Sequence, residues 1–145
     1  MKVRQIIVLS VLMAALASCE LEVSDNGNLD GFWHLEKVDT LQTGGTSDLS
    51  DRLLFWSVQM NLLELSDRSE GNGFLLLRFE QNDGSLHVHT PTRFDGKNTD
   101  LPIDDLQQLA PFGIQSLDET FRIIMLSSGR MVLEGDRLRL SFSKM

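Results

Sequence analysis

A single cysteine, Cys19, occurs in the 145 residues, and no disulfide can form within the chain. One thiol also excludes Cys-x-x-Cys redox chemistry and cysteine-based zinc modules. The sequence has no tyrosine, three prolines and two tryptophans. It contains no His-Glu-x-x-His, no Gly-x-Ser-x-Gly and no calcium-loop spacing. Gly71-Asn72-Gly73 lacks the third glycine and the strand-to-helix setting of a phosphate-binding loop, and reads as a plain loop. Basic residues are scarce, with 13 Lys and Arg against 21 Asp and Glu and a formal charge of -8. An acidic surface disfavours nucleic acid and anionic headgroups as partners, and its ordinary role is solubility. Apolar runs fall short of the about 20 residues that a membrane-spanning helix needs. These absences leave no residue set for a named reaction, so neither an enzyme nor a cofactor is expected.

What is present begins with an address. Lys2 and Arg4 precede an apolar run from Ile6 to Leu16 that only Ser10 interrupts, and Leu16-Ala17-Ser18 leads into Cys19. A charged n-region, a short apolar stretch and small residues make a secretory signal. Leu16-Ala17-Ser18-Cys19 resembles the lipobox of bacterial lipoproteins, whose cysteine carries diacylglyceryl and becomes the first residue after cleavage. The resemblance implies a signal peptide over 1–18, lipidation of Cys19, and a location in the cell envelope at the outer membrane. The leaflet stays open; Glu20 and Glu22 loosely resemble an acidic surface-export signal. Removing residues 1–18 leaves 145 - 18 = 127 residues and takes Lys2 and Arg4 with it, so the charge becomes -8 - 2 = -10. That is the size of one domain, and without disulfides its core must hold it. Residues 19–30 are acidic and rich in turn formers, and read as a lipidated tether to a domain over 31–145.

The remaining pattern is all-β. Gly31 to Val38 reads as the first strand, followed by a polar loop from Thr40 to Asp51. Residues 53–65 read as a single half-buried strand, with Leu54, Trp56, Val58, Met60 and Leu62 on one face. Phe74–Gln81 and Leu86–Thr90 flank Asn82-Asp83-Gly84-Ser85, a hairpin signal. A two-residue turn would pair Phe79 with Val88 and Leu77 with Thr90, and turn His87 and His89 outward opposite Glu80 and Arg78. A three-residue bulged loop would turn both histidines to the face of Leu77 and Phe79. Burying Leu86 and Val88 favours the first. Ile103, Leu106 and Leu109 or Ala110 share the stripe of a short helix, with Asp104 and Asp105 at its N-terminus and Pro111 as its stop. Strands at 121–127, 130–134 and 137–143 form a meander. Two-residue turns at Ser128-Gly129 and Gly135-Asp136 would pair Leu126 with Met131, Ile124 with Leu133, Leu133 with Leu138, Met131 with Leu140, and Glu134 with Arg137. Phe121, Ile123 and Met125 then form a second apolar face, which the short helix would cover.

About seven to eight antiparallel strands and one short helix suggest a closed barrel, which leaves no open edges. Gly31-Phe32-Trp33 resembles the Gly-x-Trp signature of lipocalins. The ending Leu138-Arg139-Leu140-Ser141-Phe142 is similar to the closing strand of lipocalin-like domains in small bacterial envelope lipoproteins. The resemblance implies an all-β, lipocalin-like barrel that takes a small hydrophobic molecule. Its lining would be Trp33, Trp56, Val58, Leu77, Phe79, Ile124, Leu126, Met131, Leu133, Leu140 and Phe142. The competing expectation is a barrel filled by these side chains, acting as a scaffold or partner-binding protein through its outer surface.

Two further groups carry chemistry on paper. His87-x-His89 places two imidazoles on one strand face, and a metal would need a third ligand such as His34 or a carboxylate. A solvated pair facing Glu80 and Arg78 is the plainer reading, and no metal is expected. Asp104-Asp105 and Asp118-Glu119 could supply acid/base or calcium ligands, but such pairs are more often a helix N-terminus and a solvated turn.

Overall fold

The computed structural model describes residues 24–69, 73–94, 97 and 101–145. The expected signal peptide at 1–18, lipidated Cys19, residues 19–23 of the tether and Gly71-Asn72 lie outside the described residues. The strands are β1 (Gly31–Thr40), β2 (Thr46–Asp48), β3 (Leu54–Gln59), β4 (Leu62–Asp67), β5 (Phe74–Asn82), β6 (Ser85–Arg93), β7 (Leu101–Pro102), β8 (Glu119–Leu126), β9 (Arg130–Glu134) and β10 (Leu138–Lys144). Eight of them run β1-β3-β4-β5-β6-β8-β9-β10, every neighbour antiparallel, and β10 returns to pair with β1. β2 adds to β1 and β7 to β6 as short extensions. The result is a closed antiparallel barrel.

The eighth strand comes from dividing a segment that alternation alone reads as continuous. Leu54, Trp56 and Val58 face inward, the chain turns at Met60-Asn61, and Leu63 and Leu65 then take the inner face. Met60 adopts a left-handed φ of 55°. Distant residues hold it there, since its N–H donates to Ser24 Oγ at 2.7 Å and its carbonyl accepts from Asn26 Nδ2 at 2.7 Å. Met60 and Leu62 are consequently exposed and do not continue the inner face. A period-two reading cannot see contacts made more than 30 positions away.

The β5–β6 hairpin forms the two-residue turn. Phe79 pairs with Val88, Glu80 with His87 and Arg78 with His89, and Gly84 supplies the positive φ of 81°. The expected partnership of Leu77 with Thr90 is absent from the register, because a bulge intervenes. Thr90 turns left-handed at φ 51° and points outward, and Pro91, with no N–H to give the ladder, takes the buried position.

In the meander, Leu126 meets Met131 as expected, but Ile123 rather than Ile124 lies opposite Leu133. A bulge absorbs Ile124, which is 51% exposed, and the inner face of β8 becomes Phe121, Ile123 and Leu126. No covering helix is needed for Phe121 and Ile123, which are already inside. β9 and β10 pair two residues beyond the expected register, Leu133 with Leu140 and Met131 with Phe142. A slip of two keeps each side chain on its face, whereas a slip of one would reverse it. It also gives Glu134 a different partner: Arg139 and Arg122, in place of Arg137, bind its carboxylate. Hydrogen bonds from Arg139, and the charges of both arginines, hold that carboxyl below its ordinary range.

Both ends of the barrel are stoppered by the chain itself. At the end where β1 begins, residues 24–30 pack against the wall instead of hanging free as a solvated tether. Their single 3₁₀ turn, Gly27–Leu29, buries Leu29 completely. Asp30 ties the segment together, accepting from Ser24 Oγ at 2.6 Å and from the Asn26 backbone N–H at 2.9 Å. Burial opposes its ionisation, but these bonds outweigh that and lower its pKa. Lys144 Nζ closes the same end, donating to the Asn28 carbonyl at 3.0 Å and lying 4.7 Å from the Trp33 ring centre. At the other end, the link between β6 and β8 turns inward. The expected short helix takes the form of two 3₁₀ turns, Leu106–Gln108 and Ala110–Phe112. Leu106 is exposed while Ile103, Leu109, Phe112 and Ile114 are buried, each such side chain contributing about 1.5–3 kcal/mol by leaving water.

Gly113 is the tightest point of this inserted plug. Its φ is 82°, and a Cβ there would sit 2.4 Å from Leu140 Cδ2. Left-handed strain and overpacking together should make Gly113→Ala cost about 2–4 kcal/mol. Gly44→Ala, at φ 69° with nothing within 4 Å, should cost only about 1–2 kcal/mol. Urea unfolding of the two variants checks the difference, and equal losses would show that the plug does not pack as described.

Candidate functional site

The proposed lining residues do converge on the barrel interior, with exceptions. Trp33, Trp56, Val58, Leu77, Phe79, Met131, Leu133, Leu140 and Phe142 form one buried cluster, and Leu126 packs against it partly exposed. Ile124 is the correction, carried to the outer surface by the β8 bulge. Sequence reasoning missed Leu29, Leu109, Phe112 and Ile114, which fill the same interior from the two stoppers. The expected helical stripe contained Leu109, but nothing in the 3.6-residue period places Phe112 and Ile114 inside a barrel.

Polar atoms lock this filling in place. Trp33 and Trp56 are cross-strand partners and both are fully buried. Trp33 Nε1 donates to the Leu29 carbonyl at 2.8 Å, and Trp56 Nε1 donates to the Phe112 carbonyl at 3.2 Å. Each indole therefore closes one end of the barrel. The Trp56 ring also meets Phe142 and Phe121 edge-on, at centroid separations of 5.0 and 5.9 Å. These contacts join the two indoles to the stoppers and to the aromatic side chains around them.

Recesses lie elsewhere on the described surface. One of about 430 Å³ sits at the rim beside the plug, lined by polar residues including Gln115, Ser116, Glu119, Asp136 and Arg137. Burial raises the Glu119 pKa, against a hydrogen bond from the Gln115 N–H, with Asp136 adding to the rise. A second groove of about 490 Å³ crosses the outer wall between β2 and the β8 bulge, with Lys37, Asp48, Met125 and Val132 among its walls.

The histidines project outward, where a polar cluster forms. Glu80 Oε2 lies 3.2 Å from His87 Nδ1 and 2.8 Å from His89 Nε2. The imidazole rings stack, with centroids 4.8 Å apart. His87 Nε2 reaches Asp118 Oδ1 at 2.7 Å, and His89 Nδ1 reaches Thr90 Oγ1 at 2.7 Å. The carboxylate opposite His87 is the expected Glu80; Asp118, in the bend before β8, belongs to the Asp118-Glu119 pair whose favoured reading is a solvated turn. His34 is not near them, bonding the Arg52 carbonyl at 2.7 Å. Asp105 caps a 3₁₀ turn by accepting from the Gln107 N–H at 2.9 Å.

A lipocalin-like domain model matches residues 13–145. Among solved structures, a lipocalin-like protein from Bacteroides uniformis is similar to this chain at 17% identity and a TM-score of 0.64, over 82% of this chain and 100% of that one. A protein from Bacteroides eggerthii is similar at 13% identity and a TM-score of 0.57, over 80% of this chain and 98% of that one. At these identities the likeness concerns the fold. No curated protein matches.

The His87 geometry sets a pH dependence. The hydrogen bond to Asp118, then the charges of Asp118 and Glu80, raise its pKa above 6.5 in spite of some desolvation. A raised folded value means that the protonated pair stabilises the fold fully below about 6.5, the unfolded value, and that this support is lost as pH rises through the folded value. In a proton-NMR titration His87 should titrate above 6.5, and Asp118→Asn should bring it down towards that figure. An unchanged midpoint in the variant would show that Asp118 does not hold the ring.

Proposed function

The chain belongs to the lipocalin-like domain family, and on that footing we propose that it is a non-catalytic, lipid-anchored protein of the outer membrane that meets its partners through the outside of a closed barrel. The carrying observation is the pair of indole hydrogen bonds that fasten a stopper into each end. A cavity for a drug-sized ligand needs about 300 Å³ or more of enclosed, mostly apolar space. Leu29, Leu109, Phe112 and Ile114 of the two stoppers join the buried cluster of the wall, which supports a filled interior.

The anchor supports the same reading. Cys19 is five residues before Ser24, a reach of at most about 18 Å for extended chain. Ser24 is bonded to the Met60 turn, so lipid on Cys19 would keep that end of the barrel near the membrane. Met60, Leu62 and Met145, at the same end, are exposed apolar side chains. The opposite rim and the side walls would then be free for a partner.

A second reading follows from the family's architecture: a small hydrophobic molecule held inside, with Trp33 and Trp56 against it. It requires the 103–114 plug to withdraw and the Trp56 N–H to find another acceptor, a cost of about 1–3 kcal/mol where none is found.

Two measurements test the proposal. Cys19→Ala should abolish acyl labelling and move the protein out of the membrane fraction; unchanged labelling and fractionation would overturn the anchor. Native mass spectrometry of the full chain extracted in detergent from its host envelope should give the protein with its acyl groups and no organic molecule besides. A stoichiometric additional small molecule would put the site back inside the barrel.

A further inference from the structure

We propose that Glu80, His87 and His89 form a binding site for a divalent transition-metal ion of the zinc class on the outer wall of the barrel. The argument starts from register. The two-residue turn at Asp83-Gly84 places Glu80 directly opposite His87, with His89 two residues further along the same face. Three donors on one outward face are thereby brought together by backbone pairing, not by the chance approach of loops. The donor atoms all lie within 4.8 Å of one another.

Their spacing suits a metal. Bonds of about 2.0–2.1 Å at tetrahedral angles put ligand atoms about 3.3 Å apart. Glu80 Oε2 stands 3.2 Å from His87 Nδ1 and 2.8 Å from His89 Nε2, so small side-chain adjustments would open the set around one ion.

The outer contacts fit as well. A ligating imidazole ordinarily holds its other nitrogen in a hydrogen bond, which fixes the ring and its tautomer. Here His87 presents Nδ1 to the site while Nε2 is held by Asp118, and His89 presents Nε2 while Nδ1 is held by Thr90 Oγ1. Thr90 stands where it does because the bulge gives it a left-handed φ of 51°. The carboxylate–histidine pairing of Asp118 and His87 is the arrangement that raises ligand basicity at zinc sites.

Charge points the same way. Both facing ring nitrogens converge on one carboxylate oxygen, and a dication placed between the three would replace the N–H donors that otherwise hold them there. Glu80 and Asp118 together balance such an ion. Imidazole with a single carboxylate favours zinc, copper or nickel over magnesium or calcium, which take oxygen ligands. The side chains of Glu80, His87 and His89 are 54%, 33% and 23% exposed, so water would complete the coordination. The site is independent of the lipid anchor and of the barrel interior.

The test uses the full chain in detergent after treatment with a chelator, with Cys19→Ala in parallel to exclude any contribution from an unacylated thiol. Zinc chloride titrated calorimetrically should bind one ion per chain, and cobalt(II) should give visible absorption of a four-coordinate nitrogen–oxygen site. His87→Ala, His89→Ala and Glu80→Gln should each weaken zinc at least about tenfold, and Asp118→Asn by about tenfold, while His34→Ala leaves affinity unchanged. Imidazole NMR signals of the otherwise unaltered chain should shift for His87 and His89 and not for His34. Absence of binding, or binding that survives the His87→Ala, His89→Ala pair, would overturn the site and leave these residues as an ion-pair cluster only.

Discussion

An indole N–H withdrawn from water must find an acceptor, or the group costs about 1–3 kcal/mol. In this barrel two such donors sit side by side on neighbouring strands, and neither bonds a carbonyl of the strands. Trp33 and Trp56 instead take carbonyls from Leu29 and Phe112, in segments that enter from opposite ends. The need for an acceptor ties each stopper to the wall, and each stopper brings apolar side chains that complete the core.

A barrel closed in this way places its chemistry outside. The interior is apolar, while groups with displaced ionisation or convergent geometry sit on the rim and the wall: Glu119 beside the plug, Glu134 between two arginines, and the stacked histidines over Glu80. Two of the β-bulges in the wall aim parts of this surface. One turns Thr90 out to bond His89, and the other ejects Ile124 into the exposed wall. Bulges commonly re-aim side chains in this manner. Here they separate a uniform inner face from a varied outer one.

Much of the fold was legible because short-range rules decide it. Asn82-Asp83-Gly84-Ser85 fixes a turn, the turn fixes a register, and the register puts His87 opposite Glu80. The β9–β10 register was wrong by two, yet the inner face was right, because strand faces repeat every two residues. What could not be read depends on distant parts of the chain. Met60-Asn61 turns because Ser24 and Asn26 bond it, and 53–65 gives no such sign. Phe112 and Ile114 are core because the β6–β8 link folds inward, and the acidic look of 20–30 conceals a buried Leu29. Asp118 joins the histidines only through the pairing of β6 with β8, which no local pattern encodes.

The absence of tyrosine makes the central claim directly measurable, since Trp33 and Trp56 alone dominate the emission of the chain. Acrylamide quenching of tryptophan fluorescence, with and without saturating oleate, reports whether the interior is closed. The account predicts blue-shifted emission that is shielded from acrylamide and unaltered by oleate, because both indoles are enclosed by the chain's own stoppers. Ready quenching, or an emission change that saturates with oleate, would contradict a barrel filled and sealed by its own residues.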